Sequence, residues 1–149
     1  MRRIGVCTLT MALLVTIGAL VGGAQDSASE LKKIQGTWRF IAQEMGGKAS
    51  TKEDLAKMTI VFTGDRFDVR DDGKTVQAGT HKFDPTKKPG QVDAVITEGE
   101  GKDSKMLGIY EMTGDTMKVC FDPMGKARPT SFTPKEGQFS AVVQREKKK

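Results

Sequence analysis

From Glu30 onward the chain alternates apolar and polar residues with a period of two, and turn signals cut that alternation into runs suited to short antiparallel strands. In the first run Trp38, Phe40 and Ala42 share one parity against Arg39, Ile41 and Gln43, until Met45-Gly46-Gly47-Lys48 stops it. Ser50 or Thr51 then caps a short helix through 51–57, because Glu53 and Asp54 suit the positive end of a helix and Leu55 gives it one apolar anchor. Met58, Ile60 and Phe62 alternate ahead of Thr63-Gly64-Asp65, a triplet that recurs at Thr113-Gly114-Asp115. Glycine supplies the positive φ of a tight reversal and aspartate bonds neighbouring amides, so both triplets predict hairpin turns. Asp71-Asp72-Gly73 makes a further reversal into 76–83. There the apolar parity changes from Val76 and Ala78 to Phe83, which predicts a bulge or bend at Ala78-Gly79.

Val92, Ala94 and Ile96 form the next strand face, and 99–102 turns the chain again. The runs 107–112 and 116–121 flank the second triplet. The last strand points Phe139, Ala141 and Val143 inward and Ser140, Val142 and Gln144 outward. Strands thus start near positions 36, 58, 66, 76, 91, 105, 116 and 139. A flat sheet of that size leaves long unpaired edges, and closure removes them. The predicted fold class is all-β: an eight-stranded antiparallel up-and-down β-barrel with one short helix after strand one. A two-sheet β-sandwich is the alternative that the same pattern admits.

The first 24 residues depart from this pattern and read as a secretory signal: Arg2 and Arg3, an apolar stretch over 6–21, and small residues before a cleavage point at Gln25. The expectation is an exported protein, periplasmic or extracellular, with a single domain over 25–149 and no stable membrane anchor. Cleavage leaves 149 − 24 = 125 residues and 22 basic against 19 acidic side chains, a net charge of +3. Charges of both signs are interspersed, which argues against a nucleic-acid footprint. Cys7 goes with the signal, so Cys120 is left without an intramolecular disulfide partner and reads as a small buried thiol in a strand.

The inventory for chemistry is thin. With His81 the only histidine and Cys120 the only mature thiol, metal sites built from several histidines or cysteines are excluded. No serine lies in a nucleophile-elbow context beside that histidine, and the acidic pairs Asp71-Asp72 and Glu98-Gly99-Glu100 fall in turns. No catalytic residue, metal or cofactor is expected, and the chain reads as a non-enzyme. Candidate ligand-binding residues are Arg128, Thr130 and Ser131 in a proline-stiffened loop over 122–137. A guanidinium there suits a carboxylate or phosphate at the barrel mouth. The competing role is structural, with Phe132 plugging the barrel end and Arg128 paired to an acid. Tyr110 and Met112, together with Met58, Met106 and Met117, are candidates to line an adaptable apolar cavity, or simply core.

Gly36-Thr37-Trp38 at the start of strand one, the eight-strand meander and Arg145 near the end resemble the lipocalin-type (calycin) barrel. A closer resemblance, over 31–146, is to an uncharacterised lipocalin-like domain family abundant in exported planctomycete proteins. It rests on Ile34-Gln35-Gly36-Thr37-Trp38, on 108–115, on Val119-Cys120-Phe121 and on Arg128-Pro129-Thr130-Ser131-Phe132. The resemblance implies a structural barrel base in which Trp38 packs beside Gly36 with Arg145 across it. It also implies a monomer that binds a small apolar or amphipathic ligand inside, at the end opposite Trp38. The alternative is a non-enzymatic interaction or inhibitor module that engages another envelope protein.

Overall fold

A computed structural model describes residues 22–147. They form α1 (Gly22–Ile34), β1 (Gly36–Met45), β2 (Lys48–Ala49), α2 (Lys52–Leu55), β3 (Met58–Thr63), β4 (Arg66–Asp71), β5 (Lys74–Asp84), β6 (Gly90–Gly99), β7 (Lys105–Thr113), β8 (Thr116–Asp122) and β9 (Phe139–Arg145). Every pairing is antiparallel and each long strand pairs with the next. β9 returns to β1 over Trp38↔Arg145 through Met45↔Phe139, which closes an eight-stranded barrel with β2 as a small extra strand on β1. The sandwich alternative is thereby set aside.

The predicted turns sit where the glycines place them. Gly64 and Gly114 adopt φ of 61° and 59° and reverse the chain between β3 and β4 and between β7 and β8. α2 has Thr51 as N-cap. The Thr51 hydroxyl accepts from the Asp54 amide while the Asp54 carboxylate accepts from the Thr51 amide, a reciprocal capping box, and Leu55 is buried. Val92, Ala94, Ile96, Ala141 and Val143 point into the core as their parity predicts.

Three local expectations are corrected. The first concerns β1, whose register against β9 shifts between Phe40 and Ala42. One extra residue reverses the faces, so Ala42 is exposed instead of inward. The second concerns β5. The bulge falls at Ala78/Gly79 as predicted, but a second shift on the β4 side displaces Val76 outward, where it is 45% exposed. Gln77, His81 and Phe83 take the interior instead. The third is α1, a second helix that strand patterning does not predict.

α1 closes the end of the barrel at which β1 begins. The buried Ile34 carbonyl accepts from Trp38 Nε1 at 2.8 Å, and Gln35 exchanges side-chain hydrogen bonds with Gly64 across the neighbouring turn. The expected signal over 1–24 lies mostly outside the described residues, and its cleavage point falls within α1. Glu30 and Ile34, which accept hydrogen bonds from Tyr110 and Trp38 of the barrel, lie beyond it.

Candidate functional site

The Trp38 end is built as a structural cap. The indole is fully buried and the Arg145 guanidinium lies 4.3 Å from the ring centroid. Arg145 is held there by donating to the Gln35 carbonyl at 2.8 Å and by an ion pair with Asp115 at 3.6 Å. Gly36 has φ of 110°, and a Cβ on it would come within 3.5 Å of the guanidinium. The positive φ favours glycine at this position, while the distance to the guanidinium is an ordinary contact.

Beside this cap a broad open cleft runs between α1, the 85–89 loop and the 123–138 loop, and it gathers Tyr110, Met112, Thr130 and Arg145. Three of the candidate ligand residues therefore lie at the Trp38 end rather than opposite it, which corrects the expected separation. Two of its polar side chains, Arg145 and Tyr110, have partners in the protein. Tyr110 donates its hydroxyl to Glu30 at 3.2 Å, and burial followed by the nearby Glu30 charge pushes the phenol pKa up.

Arg128 and Ser131 do not line the cleft. Arg128 lies along the barrel wall, where it donates to the Val92 and Gly108 carbonyls at 3.2 and 2.7 Å and to the Asp93 carboxylate at 2.6 Å. Ser131 donates to Thr133 O within its own loop. Asp122 fixes the start of the same loop by accepting from the amides of Met124, Lys126 and Ala127, and those bonds, Ala127 first, hold its carboxyl below the usual range. Cys120 and Ile109, paired on the outer side of the wall, are fully shielded from solvent, and burial pushes the thiol pKa up. An inert thiol is the consequence.

The barrel interior holds the second cavity, of about 90 Å³ and partly open to solvent. Its wall is almost entirely apolar. Met106 and Met117 line it as the methionine pattern suggests, and Phe121 stacks on Phe139 at 5.4 Å at the end opposite Trp38. Phe62, His81, Phe83 and Tyr110 form an edge-to-face series with centroid separations of 4.9–5.7 Å, running from the cavity to the base. Among the described residues the only polar side chains on the wall are Gln77 and His81. Gln77 donates its amide to the Glu100 carbonyl at 2.7 Å. His81 Nε2 is buried and has no hydrogen-bond partner.

Burial holds the His81 imidazole below its usual 6.5, opposed by the Arg66 backbone. Sequence reasoning missed this position because a polar residue in mid-strand reads as outward. The signal that could have found it is the shared parity of His81 and Phe83 after the Gly79 bulge.

Among the described residues no group of three or more His, Cys, Asp or Glu side chains is placed to hold a metal ion. Comparisons of the chain with protein-family models, with curated proteins and with solved structures give no match.

Proposed function

We propose that this chain is an exported, lipocalin-like binding protein without catalytic activity that takes one small, largely apolar molecule into its barrel. One observation carries the reading: a cavity of about 90 Å³ in the barrel interior, walled by aromatic and aliphatic side chains, whose lining includes His81, a residue with a buried ring nitrogen that has no partner among the described residues. Close-packed cores leave few voids larger than a water molecule, and buried polar groups are nearly always paired, so the two features in one place favour an occupant. An eight-stranded barrel is just wide enough for one small ligand. The volume narrows the class. At about 30 Å³ per water it amounts to roughly three waters, too little for a lipid chain to lie inside.

The outer-face alternative, an interaction module using the 123–138 loop, has less support because Asp122 and Arg128 tie that loop to the barrel. Export rests on the Arg2-Arg3, apolar and small-residue pattern, and amino-terminal sequencing of protein from the periplasmic fraction should begin at Gln25. Binding is tested by thermal shift and methyl NMR with neutral molecules of three to six heavy atoms. Saturable shifts at Met106, Met117 and Val143 are expected, and uniformly flat titrations would count against an interior site.

A further inference from the structure

We propose that the cleft beside the Trp38 cap is a second ligand site, separate from the barrel interior, that takes an amphipathic organic anion. Its charged head sits at Lys33, Lys87 and Lys88, and its apolar body lies over Met112 and Phe132. The topology assembles the site. β6 begins at Gly90, which pairs with Tyr110, so β7 continues past the end of β6 and the 85–89 loop lies beside its last residues. α1 and the 123–138 loop wall the remaining sides. The cleft's volume of about 1150 Å³ is on the scale of the roughly 300–1,000 Å³ sites that hold organic ligands, whereas the interior cavity of about 90 Å³ is not.

The charges around the cleft set the sign of the ligand. Arg145 is already paired with Asp115, and Glu30 is engaged by the Tyr110 hydroxyl. Among the described residues Lys33, Lys87 and Lys88 are exposed and have neither an ion-pair nor a hydrogen-bond partner, and Glu111 is the one other carboxylate on the cleft wall. Asp84 lies near enough to Lys87 and Lys82 to feel their charge, but its carboxylate is taken up by the Thr86 amide and hydroxyl. Cations therefore outnumber the anions left to answer them, and a cleft focuses such an excess more than a flat surface does. Met112 and Phe132 are half-buried, so each leaves part of an apolar side chain on the wall. An anion that carries a hydrocarbon or aromatic body covers both features; an inorganic ion covers only one. The lysine ammonium is a point charge without the planar fork of arginine, so it selects for charge and not for the shape of the head group.

The test titrates the intact protein with 4-phenylbutanoate and with its neutral counterpart 4-phenylbutanamide, following the methionine methyls by NMR. Met112 lines the cleft while Met106 and Met117 line the barrel, so the methyls report the two sites separately. The expected result is saturable movement of Met112 with Met106 and Met117 fixed. The carboxylate should bind about tenfold tighter than the amide at low salt, since each exposed ion pair contributes up to about fivefold, and the preference should shrink in about 0.5 M NaCl. A variant combining Lys33→Gln, Lys87→Gln and Lys88→Gln breaks no ion pair and should fold, with the preference reduced to about one. Replacing Lys52, Lys74 and Lys102, exposed lysines elsewhere, by glutamine removes the same net charge and should leave the preference intact. A Met112 methyl unmoved by phenylbutanoate, equal binding of acid and amide, or the same loss in both triple variants would overturn the cleft site. If an octaglutamate peptide alone moves Met112, the cleft receives a protein segment and the small-molecule assignment falls. Shifts confined to Met106 and Met117 would overturn it too, while supporting the interior site.

Discussion

Truncating Trp38 to alanine tests how the closed end of the barrel is held. The substitution removes a fully buried indole, its donation to the Ile34 carbonyl and the surface over which Arg145 lies. Large aromatic truncations in cores cost about 3–5 kcal/mol, a range that already contains the cavity left behind. Against a typical domain stability of about 5–15 kcal/mol this ranges from about a fifth to the whole of the total. Trp38→Phe, which keeps a ring and loses the donor, should cost about 1–2 kcal/mol and provides a folded reference. The cation–aromatic contribution is separable by a double-mutant cycle with Arg145→Met. Arg145 is about a quarter exposed, so a coupling of about 0.5–2 kcal/mol is expected. Urea unfolding followed by far-UV circular dichroism gives all four corners, since fluorescence of the sole tryptophan is lost in half of them. A cost below about 1 kcal/mol for Trp38→Ala, or a coupling indistinguishable from zero, would refute the assignment of this end as a structural cap.

Other perturbations probe the rest of the frame. Asp122→Ala removes the acceptor for three loop amides; a loss of about 1.5–3 kcal/mol in urea unfolding and faster proteolysis within 123–138 are expected. Because the Asp122 pKa is depressed, its contribution should be complete above the unfolded carboxylate value of about 3.8 and vanish in the wild type as pH falls below it. Gly79→Ala would drive a Cβ into the Val95 carbonyl oxygen and to 2.9 Å from the Phe67 ring, so the β5–β6 ladder must move. The melting temperature should fall by the equivalent of about 1–3 kcal/mol. The His81 pKa is lowered by burial, so the unfolded chain binds a proton first as pH falls below about 6.5. Unfolding free energy should therefore decline between pH 7 and 5 in the wild type, and His81→Leu should flatten that decline.

Where a single residue type dictates a local conformation, the fold was legible. Both Thr-Gly-Asp triplets, the Asp72-Gly73 reversal and the Gly79 bulge were of that kind, because few residues other than glycine adopt those backbones or tolerate those approaches. The Thr51 cap was readable for a related reason, its acidic partner being three residues on. Features that depend on tertiary context were not. The β1 bulge carries no glycine or proline, and the apolar run Phe40-Ile41-Ala42 suits either face, so the pattern does not mark where the register shifts. α1 is Gly-rich at its start and buries Ile34 against the barrel base, a contact that exists only once the barrel has formed. The candidate site divides in the same way. Arg145 over Trp38 was implied by the barrel resemblance, whereas Arg128 turns onto the wall because two carbonyls and Asp93 converge there, a convergence that no local pattern encodes. His81 escaped for the opposite reason, since polarity argued it outward while the bulges turned it in.

The most direct measurement of whether the barrel encloses usable space is diffraction from crystals pressurised with xenon, which enters apolar cavities without needing a hydrogen bond. The account predicts one xenon site inside the barrel, between His81 and the Phe121–Phe139 stack. An interior with no xenon site, its volume taken up by repacked Phe40, Phe83, Phe121 and Phe139 side chains, would contradict it.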